Sequence, residues 1–178
     1  AALAAANNRL WSVSSINPRQ AQYTKLLRRG YAPEWNGNLT VRVPGSEDPL
    51  TAVGVLPDGR VLLFSQSAIY YTYGEGPSDT GQGAGFAEPA LLTDTVGCEN
   101  KRSVVFGDFG CMFQGERGFY LVDRGLSLTY VGLPYEESNT GPVLATAIDG
   151  LRSEVIFYSG RVEDGNQQRW VFNYLRQQ

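Results

Sequence analysis

The sequence predicts an all-β chain of antiparallel, hairpin-based blades, and three observations carry that expectation. Glycine is plentiful, 21 of 178 residues, while long helical patterns are few, which favours strands joined by many turns. Short runs of β-branched, aliphatic and aromatic residues recur between polar segments, and such side chains pack well on a pleated, half-buried surface. One hairpin pattern returns every ~45–50 residues, a spacing that suits propeller-like blades or a related β-array.

The clearest copy runs from Gly59 to Tyr73. Val61-Leu62-Leu63-Phe64 and Ile69-Tyr70-Tyr71-Thr72-Tyr73 flank the polar segment Ser65-Gln66-Ser67. The turn Pro57-Asp58-Gly59 feeds the first strand, with Gly59 supplying backbone freedom. The second copy is Gly110-Cys111-Met112-Phe113-Gln114, a turn at Gly115-Glu116-Arg117, then Gly118-Phe119-Tyr120-Leu121-Val122. On this reading Ile69-Tyr70 matches Phe119-Tyr120, and Phe64 matches Phe113. A looser third copy joins Glu154–Tyr158 to Arg169–Tyr174 across a long polar loop, and a partial fourth opens at Asn8–Val13.

Three to four such blades fit in 178 residues, whereas propellers close with roughly four to eight. The expectation is therefore one propeller-like domain over residues 1–178, a small propeller or a piece of a larger one. The start without Met and the strand near the end, Trp170–Leu175, are read as favouring a piece.

Taken in order, Ala1–Asn8 reads as a frayed or trimmed start and Leu10–Ile16 as a strand. Pro18–Arg29 holds apolar residues at mixed spacing and fits a short helix or a turn leading to a strand. Asn36-Gly37-Asn38 signals a turn, and Leu39–Val43 alternates as a half-buried strand. Leu50–Leu56 begins the next unit. Gly74–Gly85 is the longest loop signal, and Phe86–Leu92 leads out of it. Val96-Gly97-Cys98 and Arg102–Phe106 lead to the second hairpin, and Leu126–Val131 is its outer strand. Gly132–Pro142 is a loop, and Val143–Ile148 starts the last unit.

Composition narrows the chemistry. The net charge is −3 and the pI about 5.0, which argues against neutralising a nucleic-acid backbone as the main function. Arg28-Arg29 with Arg19 and Lys25 make a local basic patch, read as solvated surface. No apolar run reaches the length of a membrane-spanning helix, and Ala1–Ala6 lacks the basic start and the length of a signal peptide. Histidine is absent, which removes Ser-His-Asp and Cys-His nucleophiles and histidine-based metal sites. The two cysteines, Cys98 and Cys111, are too few for a disulfide scaffold. They read as reduced core thiols, with a pairing on neighbouring strands as the alternative.

The remaining enzyme options are carboxylate chemistry and phosphate binding. The Gly74–Gly85 loop lacks the Gly-Lys-Ser/Thr ending of a phosphate loop and reads as a loop between blades. Glu75 and Asp79 offer oxygen ligands for a hard cation, without the dense carboxylate alternation of a calcium loop. Asp108, Glu116, Asp123, Glu136, Glu137 and Asp149 are candidates for a glycosidase pair, though most sit in turns, where acids are expected anyway. Tyr70, Tyr71, Tyr73, Tyr120 and Tyr130 suit a sugar-binding surface or, more simply, sheet packing.

Several motifs go beyond a generic β-chain: Ile69-Tyr70, Gly74-Glu75-Gly76-Pro77 ending in Thr80-Gly81, Val96-Gly97-Cys98, Arg102–Val105, and Gly118-Phe119-Tyr120-Leu121-Val122-Asp123-Arg124. With Tyr130-Val131-Gly132-Leu133-Pro134-Tyr135-Glu136 and Val171–Leu175, they make the chain resemble the propeller-bearing nozzle or tubular tail proteins of short-tailed bacteriophages. The resemblance spans residues 8–175 and is sharpest over 69–136. Phe119, Val122 and Tyr135 depart mildly from the family's usual Ile, Leu and Val, and the family's chains are much longer.

The resemblance implies a structural virion protein, assembled in the host cytoplasm, with no catalytic, cofactor-binding or metal residue. It further implies a homo-oligomeric ring, commonly of six chains, that contacts other tail proteins and passes DNA without reading its sequence. An acidic wall would keep DNA from sticking. The competing expectations are a propeller glycosidase with two carboxylates, and a module that binds a glycan or protein at the host surface.

Overall fold

A computed structural model describes residues 3–45, 48–80, 82–132, 141–160 and 167–176. Among the described residues, fifteen strands form four antiparallel sheets, each a meander of consecutive strands. Sheet I holds β1 (Leu3–Ala6), β2 (Arg9–Val13), β3 (Gln20–Thr24) and β4 (Trp35–Arg42). Sheet II holds β5 (Leu50–Val55), β6 (Val61–Ser65), β7 (Ile69–Thr72) and β8 (Ala90–Thr93). Sheet III holds β9 (Val105–Gly107), β10 (Gly110–Gln114), β11 (Phe119–Val122) and β12 (Leu128–Tyr130). Sheet IV holds β13 (Val143–Asp149), β14 (Glu154–Gly160) and β15 (Gln167–Asn173). Among the described residues the only helical piece is a 3-10 turn, Lys101–Ser103, capped by the Asn100 side chain.

The sheets stack in chain order because alternate residues of a strand point to opposite faces. Trp11, Ala21, Tyr23 and Val41 of sheet I meet Leu50, Val53, Val61, Leu63 and Tyr70 of sheet II in one core. The opposite face of sheet II sends Ala52, Leu62, Phe64 and Ile69 against Cys111, Phe113, Tyr120 and Val122 of sheet III. Met112 and Phe119 on the far face of sheet III meet Val143, Val155 and Phe157 of sheet IV. The first strands of the sheets also touch in series, β1 to β5, β5 to β9 and β9 to β13.

The hairpin repeat expected from the sequence is present, with three corrections. First, residues 3–6 are not frayed. They pair with β2 through a two-residue turn in which Asn7 and Asn8 take φ of 52° and 56°, the left-handed geometry of the tightest hairpins. Second, Asn36-Gly37-Asn38 is no turn. It lies inside β4, the outer strand of sheet I, and the pairing there shifts register between Gln22 and Thr24 to reach Trp35.

Third, Phe64 and Phe113 are not equivalent positions. Ser65 N–H donates to the Ala68 carbonyl (2.9 Å) and Gly115 N–H to that of Gly118 (2.8 Å), so Ser65 corresponds to Gly115. Phe113 then corresponds to Leu63. A slip of one residue changes faces, and Phe64 and Phe113 accordingly approach from opposing sheets, ring centroids 5.0 Å apart. Ile69 and Phe119 do match, both facing the following sheet, and Tyr70 and Tyr120 both face the preceding one. The undecided stretch 18–29 contains β3, and the turn before β6 closes with Gly59 at φ +84°.

Candidate functional site

Two places gather the residues that the sequence singled out. One is the clasp between the Gly74–Gly85 loop and sheet I. Arg9 is 1% exposed on β2. Its guanidinium donates to the Thr24 carbonyl (2.8 Å) and to the Pro77 carbonyl, and lies 5.4 Å from the Tyr23 ring centroid and 6.0 Å from that of Phe86. Burying a cation is costly unless hydrogen bonds and aromatic faces replace water; these four partners do so in part, and the buried Nε has no hydrogen-bond partner among the described residues. Phe86, Trp11 and Tyr23 pack edge or tilted at 4.6–4.9 Å, fixing the loop's exit.

The loop's tip is tied by Asp79, which accepts from Leu26 N–H (2.9 Å) and from Arg28 (2.8 Å). The Leu26 amide, helped by the Arg28 guanidinium and against a smaller opposing effect of desolvation, holds the Asp79 carboxyl below its ordinary value. Asp79 is thus a clasp residue, and no group of three metal-binding side chains forms among the described residues. Asn7 adds a second tie, donating to the carbonyls of Gly59 (3.1 Å) and Gly74 (3.0 Å). The sequence reading passed over Arg9 and Asn7. The signal for Asn7 was the Asn7-Asn8 pair between two short apolar runs.

The second place is a cleft of about 360 Å³ between the β6–β7 and β10–β11 turns, lined by Gln66, Asp94, Glu99, Glu116, Arg117 and Tyr120 among others. Of the four glycosidase candidates among the described residues, only Glu116 is there. Asp123 accepts from Gly125 and Ser127 N–H (2.7 and 2.8 Å), and Asp149 from Leu151 and Arg152 N–H (3.0 and 3.2 Å), so both shape turns. Asp108 is exposed beside β10, with its carbonyl taking the Arg124 Nε–H. Glu136 and Glu137 lie outside the described residues. A glycosidase acid needs an apolar pocket to stay protonated, and Asp94, Glu99 and Glu116 are all exposed.

Of the tyrosines, Tyr70 and Tyr120 are buried in cores, Tyr71 and Tyr130 pack partly against one, and Tyr73 is exposed. Cys98 and Cys111 are both buried and free rather than paired. Burial pushes both thiols up, Cys111 to about 12. The arginines and lysine of the basic group are partly neutralised, Lys25 by Glu34 (2.6 Å) and Arg28 by Asp79. No helix among the described residues is long and apolar enough to cross a membrane. No protein-family model and no curated protein matches the sequence.

Proposed function

We propose that the chain is a structural module of a short-tailed bacteriophage tail, built of propeller-like blades, that forms part of a ring-shaped conduit for the departing DNA and carries out no catalysis. The observation that supports this reading most is the serial stack: four consecutive meanders, each facing the next, with their first strands adjacent. That is how blades follow one another around a propeller axis. Two of the carboxylates that looked catalytic, Asp123 and Asp149, act within turns, and Asp79, the candidate cation ligand, ties two loops together, as suits a scaffold.

Labelling this chain in native particles and imaging them by electron microscopy tests the reading. A ring of label at the distal tail is expected; label absent from particles refutes it. The cleft beside Glu116 keeps a glycosidase as the second reading, because three carboxylates border it. Polysaccharide cleavage abolished by Glu116→Gln would favour that reading over the scaffold.

A further inference from the structure

We propose that Asn36-Gly37 is a site of spontaneous modification, at which the Asn36 side chain loses its amide and becomes aspartate or isoaspartate. Gln22 pairs with Thr40 and Thr24 with Trp35, so one residue of β3, Tyr23, spans four of β4, Asn36 to Leu39. Such a bulge takes backbone groups out of the ladder, and Asn36, Gly37 and Asn38 are all exposed. The attacking group is the Gly37 amide nitrogen. Glycine has no Cβ to crowd it, and even a Cβ built there would meet nothing within 4 Å. The target is Asn36 Cγ. Asn36 Oδ1 accepts from the Asn38 N–H (3.0 Å). That bond folds the side chain along the main chain and sets a donor on the oxygen that takes up negative charge during attack.

The reaction needs only water. The Gly37 nitrogen gives its proton to hydroxide and bonds to Asn36 Cγ. The Cγ–Nδ2 bond breaks, and the amide takes a proton from water and leaves as ammonia, closing a succinimide ring. Water then opens the ring at Cγ to give aspartate, or at the Asn36 backbone carbonyl carbon to give isoaspartate. Either product adds one negative charge to the outer strand of sheet I, and isoaspartate also lengthens the main chain inside the bulge. Asn36 is the only asparagine of the sequence with glycine after it. Asn100 also accepts from the second residue on, Arg102 (3.0 Å), but its amide is held by the Val143 carbonyl (2.6 Å) and the bulkier Lys101 follows it. This chemistry belongs to the chain whatever assembly it joins, and so goes beyond the reading above.

Incubating the 178-residue chain, folded and in urea, and then digesting it for mass spectrometry tests this. In the folded chain the peptide holding Asn36 should gain the mass difference between an amide and an acid and separate into aspartate and isoaspartate forms. The gain should quicken as pH rises, because the deprotonated amide attacks, while the Asn100 peptide stays unmodified. Gly37→Ala should slow the gain about tenfold by crowding the attacking nitrogen, with circular dichroism matching the wild type. Asn36 intact in the folded chain when the urea sample is modified, or intact in both, would overturn the proposal. So would modification of Asn36 and Asn100 at equal rates, or a Gly37→Ala chain that reacts as fast as wild type.

Discussion

Sheets II and III differ from sheets I and IV in one physical respect: every strand at their centre is covered on both sides. β6 is buried at all five positions, Val61 to Ser65, and β10 from Gly110 to Phe113. In β14 burial falls off at every second residue, and in β4 the first four residues are exposed. The same meander thus reads in sequence as a continuous apolar run when it lies between neighbours and as an alternation when it lies at an end of the stack. Position in the stack sets how much each residue contributes, and the following substitutions test that.

The largest contrast is between core and end-face aromatics. Phe64→Ala and Phe113→Ala should each cost about 3–5 kcal/mol, as fully buried rings, and their double-mutant cycle should show coupling of about 0.5–1.5 kcal/mol from the facing pair. Tyr158→Ala, on the half-open face of sheet IV, should cost less than about 1.5 kcal/mol when the chain is monomeric. Urea denaturation measures all three, and equal costs would erase the distinction between covered and end sheets.

A middle-sized effect comes from backbone proximity. A Cβ on Gly97 would stand 2.3 Å from the Gln66 carbonyl carbon and oxygen, so the β6–β7 turn must shift to admit it. Gly97→Ala should therefore destabilise by about 1–3 kcal/mol, in the range of overpacked cores. Gly37→Ala in β4 meets nothing within 4 Å and should be close to neutral. A neutral Gly97→Ala would mean that the turn is free to move.

The two thiols give a kinetic version of the contrast. With Cys111 pushed up to about 12 by burial, and Cys98 raised too, little thiolate exists at neutral pH. A thiol reagent should label neither cysteine in the folded chain and both after denaturation. Rapid labelling without denaturant would place the core between sheets II and III open to solvent.

The smallest effect is at the clasp. The lowered Asp79 carboxyl favours the folded form above its ordinary, unfolded value, and that contribution disappears as pH falls through the lower folded value. Being at the surface, the clasp should leave the global midpoint nearly unchanged. Its local sign is a lower protection of the Leu26 amide relative to its intrinsic exchange rate at the same pH, either in acid or in Asp79→Ala. Unchanged exchange in the alanine variant would show that Arg9 and Asn7 hold the loop alone.

The strand pairs of the central hairpins were legible because their residues are apolar on both faces and bounded by turn residues. The register between copies was not, since Phe64 and Phe113 look alike in sequence and only the aligned turns at Ser65 and Gly115 separate them. β1 escaped notice because one leucine and three alanines, Leu3–Ala6, make little pattern. β4 misled because an outer strand pairs on one edge and tolerates Asn-Gly-Asn. The clasp was half legible. Asp79 stood out as an acid in a glycine-rich loop, yet its partners Leu26 and Arg28 lie about 50 positions away, a distance that no local pattern bridges. A buried cation such as Arg9 leaves no mark in an alternating strand until its carbonyl partners are seen.

Native-state hydrogen exchange across the whole chain tests most directly whether the sheets are stacked with II and III inside. Amides of β6 and β10 should exchange only through global unfolding, while those of β4 and β15 open locally and faster. Equal protection in all four sheets, or faster exchange in β6 and β10 than in β15, would contradict the serial stack.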